Sequence, residues 1–129
     1  MQEDRKRKDQ KDLARKFESY LKAGENFFFD EDSFIELVAF YNEGDKTSLA
    51  LKAAEYGLQQ YPSSCDLRAE KADVLVKLSQ HQEAIEELDI ALSFQPLDPE
   101  LLMQKGTIYY LNTMTVIQLE MECLMINFS

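Results

Sequence analysis

Few residues of this chain belong to a pattern that carries acid–base, nucleophilic or metal chemistry. His81 is the only histidine, and no cysteine or aspartate set at metal-ligand spacing accompanies it. Cys65 and Cys123 form no CxxC pair, so we expect two reduced thiols packed in or near a core. The sequence has no glycine-rich phosphate loop and no serine–histidine–aspartate set. We therefore expect no catalysis and no bound cofactor or metal.

Carboxylates are abundant, but no two of them stand out as an acid and its base. The 129 residues include 24 Asp and Glu against 14 Lys and Arg, for a net charge of −10. This excess opposes nucleic-acid phosphates and anionic membrane surfaces, so we expect neither as the main partner. The charge is uneven, since residues 1–23 hold eight basic and five acidic side chains. The negative excess is therefore carried by residues 24–129.

The first residues, MQEDRKRKDQKD, contain no apolar run of the kind found in secretory signals. No segment has 18 consecutive apolar residues, so we expect no membrane-spanning helix. We predict a cytoplasmic protein that forms one domain or a short array of repeats.

Helical spacing dominates the chain. Leu13, Phe17, Tyr20 and Leu21 share one helix face, and Gly24 is well placed to end that helix. Strict alternation of apolar and polar residues is absent over most of the sequence. We predict an all-α fold, with helices near 5–23, 31–43, 47–60, 65–78, 81–94 and 99–112.

Local signals support these bounds. Asp98 precedes Pro99, which is typical of an N-cap followed by the first helical residue. Ser79 with Gln82 has the spacing of a capping box. The pair Gly44–Asp45 predicts a tight turn between two helices.

Two helix-like segments, AEYGLQQYPSS and ELDIALSFQPLD, reach prolines that lie 34 residues apart, at Pro62 and Pro96. Counting back from them divides the chain into blocks 31–64, 65–98 and 99–129. Small residues recur at matching positions: Ala50 and Ala84; Gly57 and Ala91; Val38, Ala72 and Gly106. Small side chains allow helices to pack closely, and proline stops a helix.

With this period and these residues, the chain resembles the tetratricopeptide repeat (TPR) family. The first block matches best, with Phe34, Leu37, Val38 and Tyr41 on its first helix and Ala50, Ala54, Gly57 and Pro62 on its second. The resemblance covers about three-quarters of the chain. It implies antiparallel helix pairs stacked as a short right-handed α-solenoid. Residues 1–24 would form an N-terminal capping helix, and residues 25–129 the repeat domain.

The resemblance also implies a function, that of an adaptor or scaffold holding a peptide or helix of another protein in a concave groove. First-helix side chains line that groove. The implied partner-binding residues are Asp32, Ile35, Glu36, Asn42, Asp66, Glu70, Asp73, Met103 and Tyr110, and Glu43 and Gln104 lie beside them. The carboxylates favour a basic or mixed-charge ligand. The alternative left open is that they only form a solvated face or cap the helices that they open.

One subclass of the family clamps the terminal carboxylate of chaperone tails with Lys, Arg and Asn. Ile35 and Ala39 stand where that clamp needs Lys and Asn. Asp66 and Glu70 would repel a carboxylate. We therefore exclude this subclass.

The third block loses the pattern after about Leu111, and its tail, TVIQLEMECLMINFS, is apolar on nearly every side. We predict a helix, with a strand as the open alternative because Ile117, Leu119 and Met121 alternate. A solenoid usually ends in a polar cap. The alternative function is therefore a structural homo-oligomer, such as a homodimer, assembled through residues 113–128 with the groove unused. A cut or altered array is the other explanation of the tail.

The N-terminal helix has two interpretations. Its basic face could occupy the acidic groove, or its apolar face could cap the first repeat, which we favour because the apolar stripe must be covered. The triplet Phe27–Phe29 is expected to anchor the core, with at most one ring exposed.

Overall fold

The computed structural model describes residues 2–128, and this part of the chain is helical, with no strand. Its helices are α1 Gln2–Ala23, α2 Glu31–Glu43, α3 Thr47–Gln60, α4 Cys65–Lys77, α5 His81–Phe94 and α6 Pro99–Phe128. The all-α prediction is confirmed, as are the bounds of α2, α3 and α5. Met1 and Ser129, at the outer ends of the two predicted domains, lie outside the described residues.

Helix α6 differs most from its prediction. We expected an end near residue 112, but α6 continues without a break for 30 residues. The prediction of a helical tail is confirmed and the alternative of a strand is wrong. Because α6 does not turn back, the described chain has no helix after α6 that could pack against it.

The backbone geometry recurs every 34 residues. Helices α2 and α4 each have 13 residues, and α3 and α5 each have 14. Asp45 (φ 57°) and Ser79 (φ 59°) occupy the left-handed region at equivalent turns. The capping box predicted at Ser79 is therefore wrong, since Ser79 lies in the turn and Gln80 is the N-cap of α5, without a side-chain cap.

Side-chain caps open the first helix of each block. Asp30 Oδ1 accepts a hydrogen bond from Ser33 N at 2.7 Å, and Ser64 Oγ accepts one from Leu67 N at 3.2 Å. Asp98 Oδ1 accepts from Glu100 N at 2.9 Å, which confirms the predicted N-cap. These bonds satisfy backbone donors that a helix start leaves free.

Each helix packs against the next one in the chain, and α2 also contacts α4, as α4 contacts α6. The buried residues form two clusters, one around α1 to α3 that also includes Leu67 and Val74 of α4, and one around α4 to α6, with Leu51 packed against both. The predicted small positions are fully buried at Val38, Ala50, Ala54, Ala72, Ala84 and Ala91.

The two helical glycines behave differently. A Cβ placed on Gly57 would lie 2.9 Å from Leu67 Cδ1 and 3.0 Å from Phe34 Cβ, so α4 approaches α3 closely there. A Cβ on Gly106 would meet nothing within 4 Å. The predicted close contact at Gly106 is wrong, because the helix that would make it is not present in residues 2–128.

Helix α1 buries its apolar side on the first cluster. Phe17 is fully buried, and its ring centroid lies 5.7 Å from Phe27 and 6.0 Å from Tyr56. Tyr41 Oη donates to Ala14 O at 3.3 Å, and burial raises the pKa of Tyr41. Within the described chain the ion pair of α1 is internal, between Arg15 and Asp12. The basic face of α1 therefore does not pair with the acidic residues of α4.

The Phe27–Phe29 segment anchors the core as predicted. Phe27 is buried, Phe29 is half-buried, and Phe28 is 84% exposed. Side chains of α3 hold the segment in place: Gln60 Nε2 donates to Phe27 O at 2.9 Å, and Tyr61 Oη, just after α3, donates to Phe29 O at 2.8 Å. None of the helices over residues 2–128 has both the length and the apolar character needed to cross a membrane.

Candidate partner-binding face

The nine predicted site residues lie on α2, α4 and α6, which touch in that order. We call the surface formed by these three helices the first-helix face. Three of the nine are half-buried: Ile35, Asn42 and Glu70. Six are exposed: Asp32, Glu36, Asp66, Asp73, Met103 and Tyr110.

Three carboxylates form a row along α4. Asp66, Glu70 and Asp73 are spaced by four and three residues, which places them on one side of the helix. Burial raises the pKa of Glu70, and the negative charges of Asp73, Asp66 and Glu43 raise it further. The charges of Asp66, Asp73 and Glu43 thus all act on Glu70, with Glu43 reaching it from α2. We call Asp66, Glu70 and Asp73 the α4 carboxylate row.

Gln104 joins α6 to this row. Its Nε2 donates to Ala69 O at 2.9 Å and to Asp73 Oδ1 at 3.0 Å. Asp73 is exposed as a residue, but the protein around its carboxyl group partly desolvates it and raises its pKa, and the hydrogen bond from Gln104 opposes that rise. The bond fixes the position of one carboxylate but supplies no charge to balance it.

No cation neutralises the row. Among residues 2–128, none of the ion pairs includes Asp66, Glu70, Asp73 or Glu43. Lys77, the next residue on this side of α4, instead lies 3.2 Å from Asp45 Oδ1, and its Nζ also donates to Asn42 O. The row therefore presents unbalanced negative charge.

The other cations of α4 are held on its opposite side. Arg68 Nη1 lies 2.8 Å from Glu87 Oε2, and Lys71 Nζ lies 2.9 Å from Glu87 Oε1 on α5. Arg68 Nη2 also donates to Pro62 O at 2.9 Å. This cluster was not predicted from the sequence. Its one signal in the sequence was Arg68, a charged residue at the position where the other two blocks have Phe34 and Leu102. Its effect is to keep two positive charges away from the row.

Several predicted residues are not joined to the row. In the described part of the chain, no hydrogen bond or ion pair links Asp32 or Glu36 to it. Met103 and Tyr110 are 72% and 64% exposed on α6. Asn42 Oδ1 is buried and accepts no hydrogen bond from residues 2–128. Over the same residues, no three His, Cys, Asp or Glu side chains are grouped as a metal site requires.

The raised pKa of Glu70 gives a pH-dependent prediction. The folded chain holds a proton on Glu70 more tightly than the unfolded chain, so ionisation of Glu70 opposes folding. This destabilisation is absent at pH values below the ordinary carboxyl pKa and is complete at pH values above the raised pKa of Glu70. We expect Glu70→Gln to increase the free energy of unfolding by about 0.5 kcal/mol at about pH 7, a value that allows for solvent screening. At about pH 3 we expect no change.

Urea unfolding at the two pH values measures this difference. The matched control is Glu36→Gln, which neutralises an exposed carboxylate outside the row and should change neither value. If both variants increased the free energy of unfolding equally at about pH 7, the effect would come from the lower net charge and not from the position of Glu70 in the row.

No protein-family model matches the chain, and the comparisons with curated proteins and with solved structures likewise find no match. The resemblance to TPR proteins therefore depends on the residues and their spacing alone.

Proposed function

We propose that this chain is a TPR-like adaptor that binds a basic or mixed-charge segment of another protein on its first-helix face. The observation that carries the proposal is the α4 carboxylate row, whose charge has no partner cation within residues 2–128. Like charges held close together and partly buried are unfavourable unless a ligand offsets them. A peptide with Lys or Arg side chains supplies that offset.

The 34-residue recurrence of the backbone supports the repeat part of the proposal. The equivalent φ values at Asp45 and Ser79 and the equal lengths of paired helices are what two copies of one helix-pair unit would have. The contacts of α2 with α4 and of α4 with α6 are those of first helices that stack side by side. We accordingly propose a short right-handed α-solenoid whose inner side is the first-helix face.

Selection from a phage-displayed library of random peptides tests the proposal. We expect the protein to enrich peptides with net positive charge, and their affinity to fall as salt rises. The double variant Glu70→Lys/Asp73→Lys should lose at least about tenfold in affinity, or about 1.4 kcal/mol.

The matched control places the same charge change on another surface. Glu83 and Glu86 are exposed on α5, and Glu83→Lys/Glu86→Lys should bind the selected peptides nearly as well as the parent. Enrichment of peptides without basic residues, or equal loss in both double variants, would refute the proposed site.

A further inference from the structure

Helix α6 carries an apolar stripe that no part of the described chain covers. Met103, Tyr110, Met114, Ile117, Met121 and Leu124 follow one another at spacings of seven, four, three, four and three residues. This is the spacing of the core positions of a two-helix coiled coil. These side chains are between 43% and 72% exposed. We call them the α6 stripe.

The stripe is on the side of α6 that points away from α5. The face toward α5 carries Leu101 and Ile108, which are 4% and 3% exposed and belong to the second core cluster. Beyond Ile108, no side chain of α6 up to Ile126 is buried. The last part of α6 is thus a helix with apolar side chains in water, and a helix of that kind depends on packing for its stability.

The size of the stripe suits a protein interface. At 1.5 Å per residue, the 30 residues of α6 extend about 45 Å. Leu111 and Met125, which are 39% and 71% exposed, flank the stripe, whereas the exposed side chains of Tyr109, Val116 and Leu119 lie farther round the helix. If the six stripe residues, Leu111 and Met125 each bury about 80 Å², the covered area is about 640 Å² per partner, within the roughly 600–1,000 Å² per partner of a stable interface.

The charges of α6 indicate what covers it. No charged residue lies between Lys105 and Glu120, and no Lys or Arg follows Lys105. Two copies aligned in parallel would bring Glu120 and Glu122 of both chains to one level with no cation near them. Antiparallel copies centred near residue 112 instead keep the Glu120 carboxylates of the two chains about 24 Å apart along the helices, while Lys105 stays paired with Asp89 of α5 at 2.6 Å.

We propose that α6 pairs with α6 of a second copy of this chain in an antiparallel two-helix contact. The stripe is self-complementary in this arrangement. With the centre at residue 112, Tyr110 lies opposite Met114 of the second copy, and Met103 lies opposite Met121. Met103 and Tyr110 belong to both surfaces, but this interface includes no residue of the α4 carboxylate row, so either proposal can fail without the other.

Sedimentation equilibrium of the intact chain tests the pairing. We expect a dimer that Met114→Glu/Ile117→Glu reduces to a monomer, while circular dichroism shows that the other helices are retained. Thr115→Glu is the matched control, because Thr115 is exposed on the same helix but outside the stripe, and this variant should remain dimeric. A parent chain that is monomeric at about 100 μM, or a double variant that stays dimeric, overturns the proposal.

Disulfide trapping tests the direction of pairing. In a Cys123→Ser background, Leu124→Cys should form no cross-linked dimer, because antiparallel α6 helices keep the two thiols about 35 Å apart. A mixture of Thr107→Cys and Ile117→Cys chains, in the same background, should cross-link with each other. A Leu124→Cys dimer linked through the new thiol would show parallel pairing and overturn the proposal.

Discussion

Phe17→Ala should reduce the free energy of unfolding by about 3–5 kcal/mol, the largest loss that we expect from any single truncation. Phe17 is fully buried, and its ring meets Phe27, Tyr41 and Tyr56. Its removal leaves a cavity where α1 meets the first repeat unit, and the surrounding rings can collapse only partly into it. Urea unfolding followed by circular dichroism measures the loss.

The matched control for this variant is Phe28→Ala, which deletes the same atoms from a ring that is 84% exposed. We expect a change within about 0.5 kcal/mol. If Phe17→Ala is as mild as Phe28→Ala, α1 does not pack on the first cluster in solution, and the described position of this helix is wrong.

Gly57→Ala should destabilise the fold by about 1–3 kcal/mol, although alanine is the better helix former. The new methyl group would lie 2.9 Å from Leu67 Cδ1 and 3.0 Å from Phe34 Cβ, closer than such atoms can approach without movement. Phe34 and Leu67 are themselves fully buried, so neither side chain has free space to move into. Thermal unfolding of the variant measures the cost.

Gly106→Ala, the same substitution at the other helical glycine, should stabilise the fold instead of destabilising it. Its methyl group meets nothing within 4 Å in the described chain, so at concentrations where the chain is monomeric helix propensity alone acts and should stabilise it by about 0.5–1 kcal/mol. In a longer array with a second helix packed on α6, the variant would destabilise instead. The sign of its effect therefore reports whether α6 is uncovered at that position.

Most helix ends could be predicted because residues near each end determine where it lies. Gly24 takes a φ of 68° after α1, and Asp98 caps α6 through its own carboxylate. The two prolines follow the ends of α3 and α5 closely, where the preceding residue is restricted to extended conformations. Such signals act over a few residues and need no tertiary context.

The length of α6 was mispredicted because no such signal is present. The chain has no glycine or proline after Gly106, and Asn112 and Thr113 do not by themselves stop a helix. The expected end near residue 112 was taken from the family pattern. Within residues 2–128 no element packs against α6 near residue 112 to enforce a turn there, so local propensity extends the helix.

Of the candidate site, spacing alone could predict the α4 carboxylate row, since it follows from helix periodicity. The contributions of Glu43 and Gln104 depend on how α2 and α6 cross α4, which periodicity does not determine. The positions of Arg68 and Lys71 depend on Glu87, sixteen or more residues away. Packing between helices thus decides whether the carboxylates of the first-helix face are paired with cations or left unbalanced.

The distribution of aromatic rings determines what optical measurements of this protein can report. All ring-to-ring contacts that the structure describes lie between Phe17 and Tyr61, and the chain has no tryptophan. Near-ultraviolet dichroism therefore follows the first core cluster, whereas far-ultraviolet dichroism follows every helix. The buried residues of the second cluster include no aromatic ring, so its loss should change the near-ultraviolet curve much less than loss of the first. A two-step unfolding of the repeat units would accordingly appear as two curves that do not superimpose.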